Sequence, residues 1–158
     1  MNTRIFKLLF VVFIIFSQLP LHGQTQEIDL KGQWRFQTDV MDFRRGSLSP
    51  RYNHELQETI TLPGITDNFQ IGYEVPYKYI DRLTRKYEYM GPAWYQRDIE
   101  IPKEWKGKRI FMYFERTHWL SSIYIDTKEV SKIDYISVPH NHDLTDFVTP
   151  GKTHRFTV

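Results

Sequence analysis

Apolar and polar positions alternate in short runs along most of this chain. GQWRFQT, Gly32–Thr38, sets Trp34 and Phe36 on one face. ETITL, Glu58–Leu62, alternates and is stopped by Pro63-Gly64. The clearest run covers 93–101. Ala93, Tyr95, Arg97, Ile99 and Ile101 share one face, and Gln96, Asp98 and Glu100 share the other. Pro102 ends that strand, and Gly107 marks the following turn. In 109–115, Ile110, Met112 and Phe114 face one way while Phe111 and Tyr113 face the other. Apolar residues on both faces predict a central strand. SIYID (122–126) comes next, then a turn at Thr127-Lys128 and a strand over 130–138. DLTDFVTPG (143–151) predicts a strand closed by a Pro-Gly turn. The run 154–158 begins a last strand, expected to be incomplete and to lie at a sheet edge.

Beyond the first 23 residues no segment holds a 3.6-residue period. Many short strands with regular turn punctuation predict an all-β fold, an antiparallel β-sandwich or barrel. The connection 63–91 resists the pattern. It has no clean period and carries Tyr73, Tyr77, Tyr79, Tyr87 and Tyr89. So aromatic a stretch argues for an ordered loop packed on the sheet or on a neighbouring domain.

The N-terminus follows another logic. Arg4 and Lys7 precede the apolar run LLFVVFIIF, residues 8–16, and a short polar segment ends LHG before Gln24. That order predicts a secretory signal peptide over 1–23, with the folded domain over 24–158 and a secreted or periplasmic destination. The apolar run falls short of the roughly 20 residues that span a bilayer. A membrane-anchoring helix is the less favoured reading.

Loss of that leader changes the charge. The chain has 21 basic and 19 acidic residues. Without Arg4 and Lys7, 19 basic face 19 acidic. A formally neutral domain carries no electrostatic footprint for nucleic acid or for a membrane surface after leader cleavage. Cysteine is absent, which excludes disulfides, thiol nucleophiles and Cys-based zinc sites. HNHD (140–143) invites a metal reading, with His140 and His142 on one face of an extended segment. A site needs three or four converging ligands. The rest of the set is lacking, so these are expected to be polar surface residues, and no metal or cofactor is predicted.

Several motifs follow one another in a known order: GQWRF; LPGITD at 62–67; GPAWYQRDIEIPKEWKGKRI at 91–110; FMYFERTHWLSSIYIDTKEV; and HDLTDFVTPGKTHRFTV. Over about 28–158 the chain resembles the N-terminal sugar-binding domain of glycoside hydrolase family 2, which includes β-galactosidases, β-glucuronidases and β-mannosidases. The resemblance implies a jelly-roll sandwich like the galactose-binding domains. It also implies an immunoglobulin-like domain and a (β/α)8 barrel as partners in the same polypeptide. Two glutamates of that barrel would carry retaining hydrolysis, which needs a carboxylate pair roughly 5 Å apart. No residue here matches the segments around them. The chain is therefore expected to be the non-catalytic front of a longer glycosidase, with a β-glycoside or polysaccharide as its ligand. A stand-alone carbohydrate-binding module and a purely structural sandwich are the alternatives.

Candidate ligand residues are those whose chemistry suits a sugar. Exposed aromatic rings stack on its C–H faces, and polar groups bind its hydroxyls. THWLSS (117–122) places His118 and Trp119 in a loop after a strand. Asp67 and Asn68 follow LPGIT, again in a loop. Trp94 and Trp105 are expected to pack the sandwich, with ligand contact a secondary role for Trp94. Arg97, on an apolar face, is expected to pair with a carboxylate or to sit at the sheet rim, with sugar contact less favoured.

Overall fold

The computed structural model describes residues 25–39, 51–78, 80–81 and 83–158. The leader expected over 1–23, and Tyr79, lie outside the described residues. Residues 25–30 carry no regular structure. No helix among the described residues is long and apolar enough to cross a membrane.

Ten strands follow in chain order: β1 (Gly32–Thr38), β2 (Glu58–Leu62), β3 (Tyr73–Glu74), β4 (Tyr87–Glu88), β5 (Ala93–Glu100), β6 (Phe111–Phe114), β7 (Leu120–Ile125), β8 (Lys128–Asp134), β9 (His140–Asp143) and β10 (Thr153–Thr157). Six form one sheet in the order β2-β1-β5-β10-β7-β8. β6 and β9 form a second, two-stranded sheet, and β3 and β4 a small hairpin in the long connection. Every pairing is antiparallel. The expected all-β antiparallel sandwich is what the chain adopts.

The core lies between the large sheet and the β6–β9 pair. Register decides which side chains enter it, because directly opposed residues share a face. Phe36 opposes Tyr95, and Phe156 opposes both Arg97 and Ile125. Trp34, Phe36, Ile60, Ile99, Ile123, Ile125 and Phe156 are buried, with Ile110 and Met112 from the second sheet. Each buried aliphatic or aromatic side chain contributes roughly 1.5–3 kcal/mol as an upper estimate.

Five expectations need correction. The run 109–115 is not a central strand. β6 pairs only with β9 among the described residues, and Phe111 and Tyr113 stand exposed beside it. Its second apolar face lies outside the sandwich, where the Arg109 guanidinium covers the Phe111 ring at 4.7 Å. The run after His142 is not a long strand either. β9 ends at Asp143, whose carboxylate takes the Thr145 N–H at 3.1 Å and turns the chain. β8 stops at Asp134 rather than continuing to Val138, and Ser137 adopts a left-handed φ of 65°. Finally, β10 lies inside the large sheet between β5 and β7, not at its edge. The turn joining β7 to β8 sits one residue earlier than expected, at Asp126-Thr127, with Asp126 in the left-handed region that Asp tolerates.

The polar face of β5 is also only half solvated. Residues 51–56 cross it. Tyr52 stacks on Tyr124 at 4.4 Å and meets Trp94 at 6.5 Å. Gln96 is fully buried beneath them. Its amide donates to the His54 carbonyl at 2.9 Å and to Thr157 Oγ1 at 3.2 Å, and its oxygen accepts from the Leu56 N–H. The long connection packs only in part: Tyr87 and Tyr89 are half-buried, while Tyr73 and Tyr77 stand exposed rather than packed as expected. The Asp67 carboxylate accepts the Tyr87 N–H and ties the loop to β4. Gly72, at φ 110°, passes so close to Glu88 that a Cβ there would collide with its carbonyl.

Candidate functional site

The six residues singled out as ligand candidates do not converge. Trp94 and Arg97 project from opposite faces of β5, so one ligand cannot touch both. Trp94 opposes Gln37 on the outer face and donates through Nε1 to the buried Asp39 carboxylate at 3.2 Å. Its ring lies against Tyr52 and Tyr124, and Trp105 is half-buried in a 3-10 turn, Lys103–Trp105. Arg97 donates to the Lys31 carbonyl at 3.2 Å and lies over the Trp34 ring at 5.8 Å. Asp67 is committed to its loop, and the Asn68 N–H closes a turn onto Ile65. An open groove of about 370 Å³ is lined by Phe36, Gln37, His54, Glu55, Gln57 and Glu58. None of the six candidates borders it.

His118 and Trp119 stay available. Both are exposed, Trp119 to 58%. Its φ of 81° is an outlier for a bulky side chain. Strain of that kind costs of order 1–3 kcal/mol and persists only where neighbours enforce it. The Tyr135 N–H donates to the Trp119 carbonyl at 3.1 Å. Tyr135, Ile136 and Val138 are exposed in the segment that follows β8. Trp119 and Tyr135 therefore form an aromatic rim at one end of the β7–β8 hairpin, with His118 beside it.

Beneath that rim lies what the sequence reading missed. His140 and His142 are not surface residues; both are fully buried. They oppose Phe114 and Met112 of β6, so their alternation points them into the sandwich. Ser121 Oγ lies 2.7 Å from His140 Nδ1 and 2.8 Å from His142 Nε2. Ser131 Oγ lies 2.7 Å from His142 Nδ1, and His140 Nε2 lies 3.0 Å from the Tyr135 carbonyl. Burial, with the neighbouring His140, pushes the His142 ring down to about 4. Among the described residues no cluster of three or more His, Cys, Asp or Glu could hold a metal. The two imidazoles spend their nitrogens on hydroxyls and a carbonyl. The available signal was the facing sequence: Met112 and Phe114 supply an apolar partner row for His-x-His.

Comparison with known proteins fits this architecture. The glycosyl hydrolases family 2 sugar binding domain matches residues 28–158. A β-glucuronidase of Paenibacillus borealis is 28% identical over 143 residues, which are 88% of this chain and 22% of that protein. The β-glucuronidase of Canis lupus familiaris is 25% identical over 130 residues, 78% of this chain and 19% of its own length. Among solved structures, the Ruminococcus gnavus β-glucuronidase in complex with N1-substituted uronic isofagomine superposes with a TM-score of 0.64. It shows 20% identity and covers 87% of this chain and 23% of its own, which establishes a shared fold. The chain thus spans about a fifth of the length of the relatives it matches. With the match covering the whole sandwich, the chain belongs to the family of glycosyl hydrolases family 2 sugar-binding domains.

Proposed function

We propose that this chain is the non-catalytic, sugar-binding N-terminal domain of a secreted glycoside hydrolase of the β-glucuronidase or β-galactosidase kind. The carrying observation is the extent of the match: the family match runs over residues 28–158, while the chain covers only 22% and 17% of two β-glucuronidase relatives. The retaining carboxylate pair then belongs to another domain of the parent. The leader-like pattern over 1–23 supports export.

Within the domain, the Trp119–Tyr135 rim is the sugar contact. An exposed indole offers a flat apolar face for the C–H side of a pyranose. His118 stands beside it as a polar partner for a hydroxyl. Asp67, Asn68, Trp94 and Arg97 serve the fold.

The test uses the chain as it stands. It should show no turnover of an aryl β-glucuronide or aryl β-galactoside. It should be retarded on a matrix bearing β-linked glucuronic acid or galactose. Trp119→Ala should weaken that retention by roughly tenfold, about 1.4 kcal/mol. Turnover abolished by one carboxylate substitution in this chain would overturn the non-catalytic reading. Retention unchanged in Trp119→Ala would remove the rim from the binding site.

A further inference from the structure

Four polar side chains beneath the rim, three buried and Ser131 half-buried, form a chain with one direction. It is set at the end where choice is absent: the Tyr135 carbonyl can only accept. His140 Nε2 therefore carries the hydrogen, and its Nδ1 accepts from the Ser121 hydroxyl. Having donated there, Ser121 Oγ accepts from His142 Nε2–H. His142 Nδ1 then accepts from the Ser131 hydroxyl. Every ring nitrogen is used. Such a chain suits an interior that excludes water.

An added proton has no place in this arrangement. On His140 Nδ1 it turns the ring into a two-sided donor, and Ser121 must reverse to accept it. The Ser121 hydrogen then meets His142 Nε2–H unless His142 changes tautomer and Ser131 reverses as well. With both rings protonated, Ser121 Oγ faces two N–H donors and its own hydrogen has no acceptor. No acidic side chain in the facing rows could compensate. From β6 the facing residues are Met112 and Phe114, whose ring meets the His142 ring edge-on at 5.7 Å. From β7 they are Ser121 and Ile123, and from β8 Ser131 and Ile133. Glu129, Lys132 and Asp134 oppose Tyr124, Ser122 and Leu120 on the other face of that hairpin, and Asp143 opposes Phe111 on the outer side of β9. On the histidine side of these strands the titratable groups are Lys128, opposite Ile125 with its ammonium over the Phe147 ring at 5.5 Å, and the two histidines themselves, 6.2 Å apart between ring centres.

The far end of the chain is structural. His140 holds the Tyr135 carbonyl while the N–H of Tyr135 holds the Trp119 carbonyl. One residue thus links the buried imidazoles to the strained, exposed tryptophan. We propose that the Ser131–His142–Ser121–His140 chain is a proton-sensitive anchor for the Trp119–Tyr135 rim, holding the rim at neutral pH and releasing it in acid. Its consequence for sugar binding rests on the reading of Trp119 as the sugar contact; the anchor itself does not.

The experiment follows three signals of the full chain from about pH 7.5 to pH 4: the imidazole nitrogens by NMR, Trp119 fluorescence taken as the difference from Trp119→Phe, and retention on a matrix of β-linked glucuronic acid. The expected result is that Trp119 fluorescence shifts red as the buried rings titrate, while the amide signals of β1 and β5 stay native. Retention should fall severalfold over the same range. Ser131→Ala, at the half-buried end of the chain, removes a bond to neutral His142 and should move the transition to higher pH. A flat Trp119 signal through the imidazole titration would overturn the anchor. So would a shift that coincides with loss of the β1 and β5 signals, or a transition that Ser131→Ala leaves in place. If fluorescence moves as expected but retention is absent at every pH, the anchor stands and the sugar reading fails.

Discussion

Two polar clusters of the sandwich, one on the outer face of the large sheet and one between the two sheets, are built in opposite ways. On the outer face Asp98 takes Arg35 at 2.9 Å and Arg155 at 3.3 Å, and Arg35 reaches Glu55 at 3.3 Å. These are charges, and the Asp98 and Glu55 side chains are 41% and 58% exposed. Between the sheets His140, His142 and Ser121 are fully or almost fully buried and bond to one another. The contrast follows from solvation. A charge at the surface keeps most of its hydration and needs only modest pairing. A charge in the interior loses several kcal/mol that no neighbour here returns. The interior therefore uses groups that bond without ionising. Each region should fail under a different perturbation, and by a different amount.

The largest effect should come from the middle of the buried chain. Ser121→Ala deletes the one atom that both imidazoles use. It leaves His140 Nδ1 and His142 Nε2 buried without partners, at about 2–3 kcal/mol in total. For a domain of this size that is roughly a 10 °C drop in Tm. A loss as small as that of a surface substitution would show that the interior tolerates unpaired imidazoles and would erase the contrast.

Acid separates the regions next. The folded chain holds His142 near 4, below the ordinary 6.5, so the unfolded chain takes up the proton first. Stability from this group is complete above about pH 6.5 and is lost as pH falls through about 4. After screening by nearby water, the loss is on the order of 2 kcal/mol. The exposed Asp143 titrates elsewhere. Bonds from the Thr145 hydroxyl and then from Arg109 hold it at about 2, below the ordinary 3.8. Its contribution persists above about pH 4 and fades as pH drops through 2. Thermal melts across pH 7 to 4 should therefore report His142. His142→Gln should flatten that slope, and a slope unchanged in this variant would place the acid-labile group outside the β6–β9 sandwich half.

Much of the fold was legible because alternation is a local property. The bounds of β1 and β2 follow from their side chains, and 93–101 overstates β5 by one residue. What alternation cannot reveal is which face becomes covered. It put Gln96 with Asp98 and Glu100, and all three do share a face; residues 51–56 then bury Gln96 and leave its neighbours wet. His140 and His142 were misjudged for the same reason. Two imidazoles two residues apart look like a wet face until β6 is found opposite, offering Met112 and Phe114. Phe111 and Tyr113 show the converse error, where an apolar alternate face was taken for burial on both sides. The candidate site was legible only as loop chemistry. The sequence marks THWLSS as a loop, but the strain at Trp119 and its tie to Tyr135 depend on contacts between residues 16 apart.

The smallest effect belongs to the outer network. Asp98→Asn keeps the shape of the side chain and one oxygen for Arg35 or Arg155, and removes the charge both guanidiniums share. Exposed pairs of this kind contribute about 0.2–1 kcal/mol, and less as salt rises. The variant should melt within a few degrees of the parent at low salt. That gap should close near 1 M salt, where the screening length is roughly 3 Å. Ser121→Ala should show no such salt dependence, because its lost bonds are neutral and shielded from ions. Equal salt sensitivity in the two variants would mean that water and ions reach the histidines. The inner polar chain would then be a second wet network rather than a dry one, and its neutrality would need a cause other than burial.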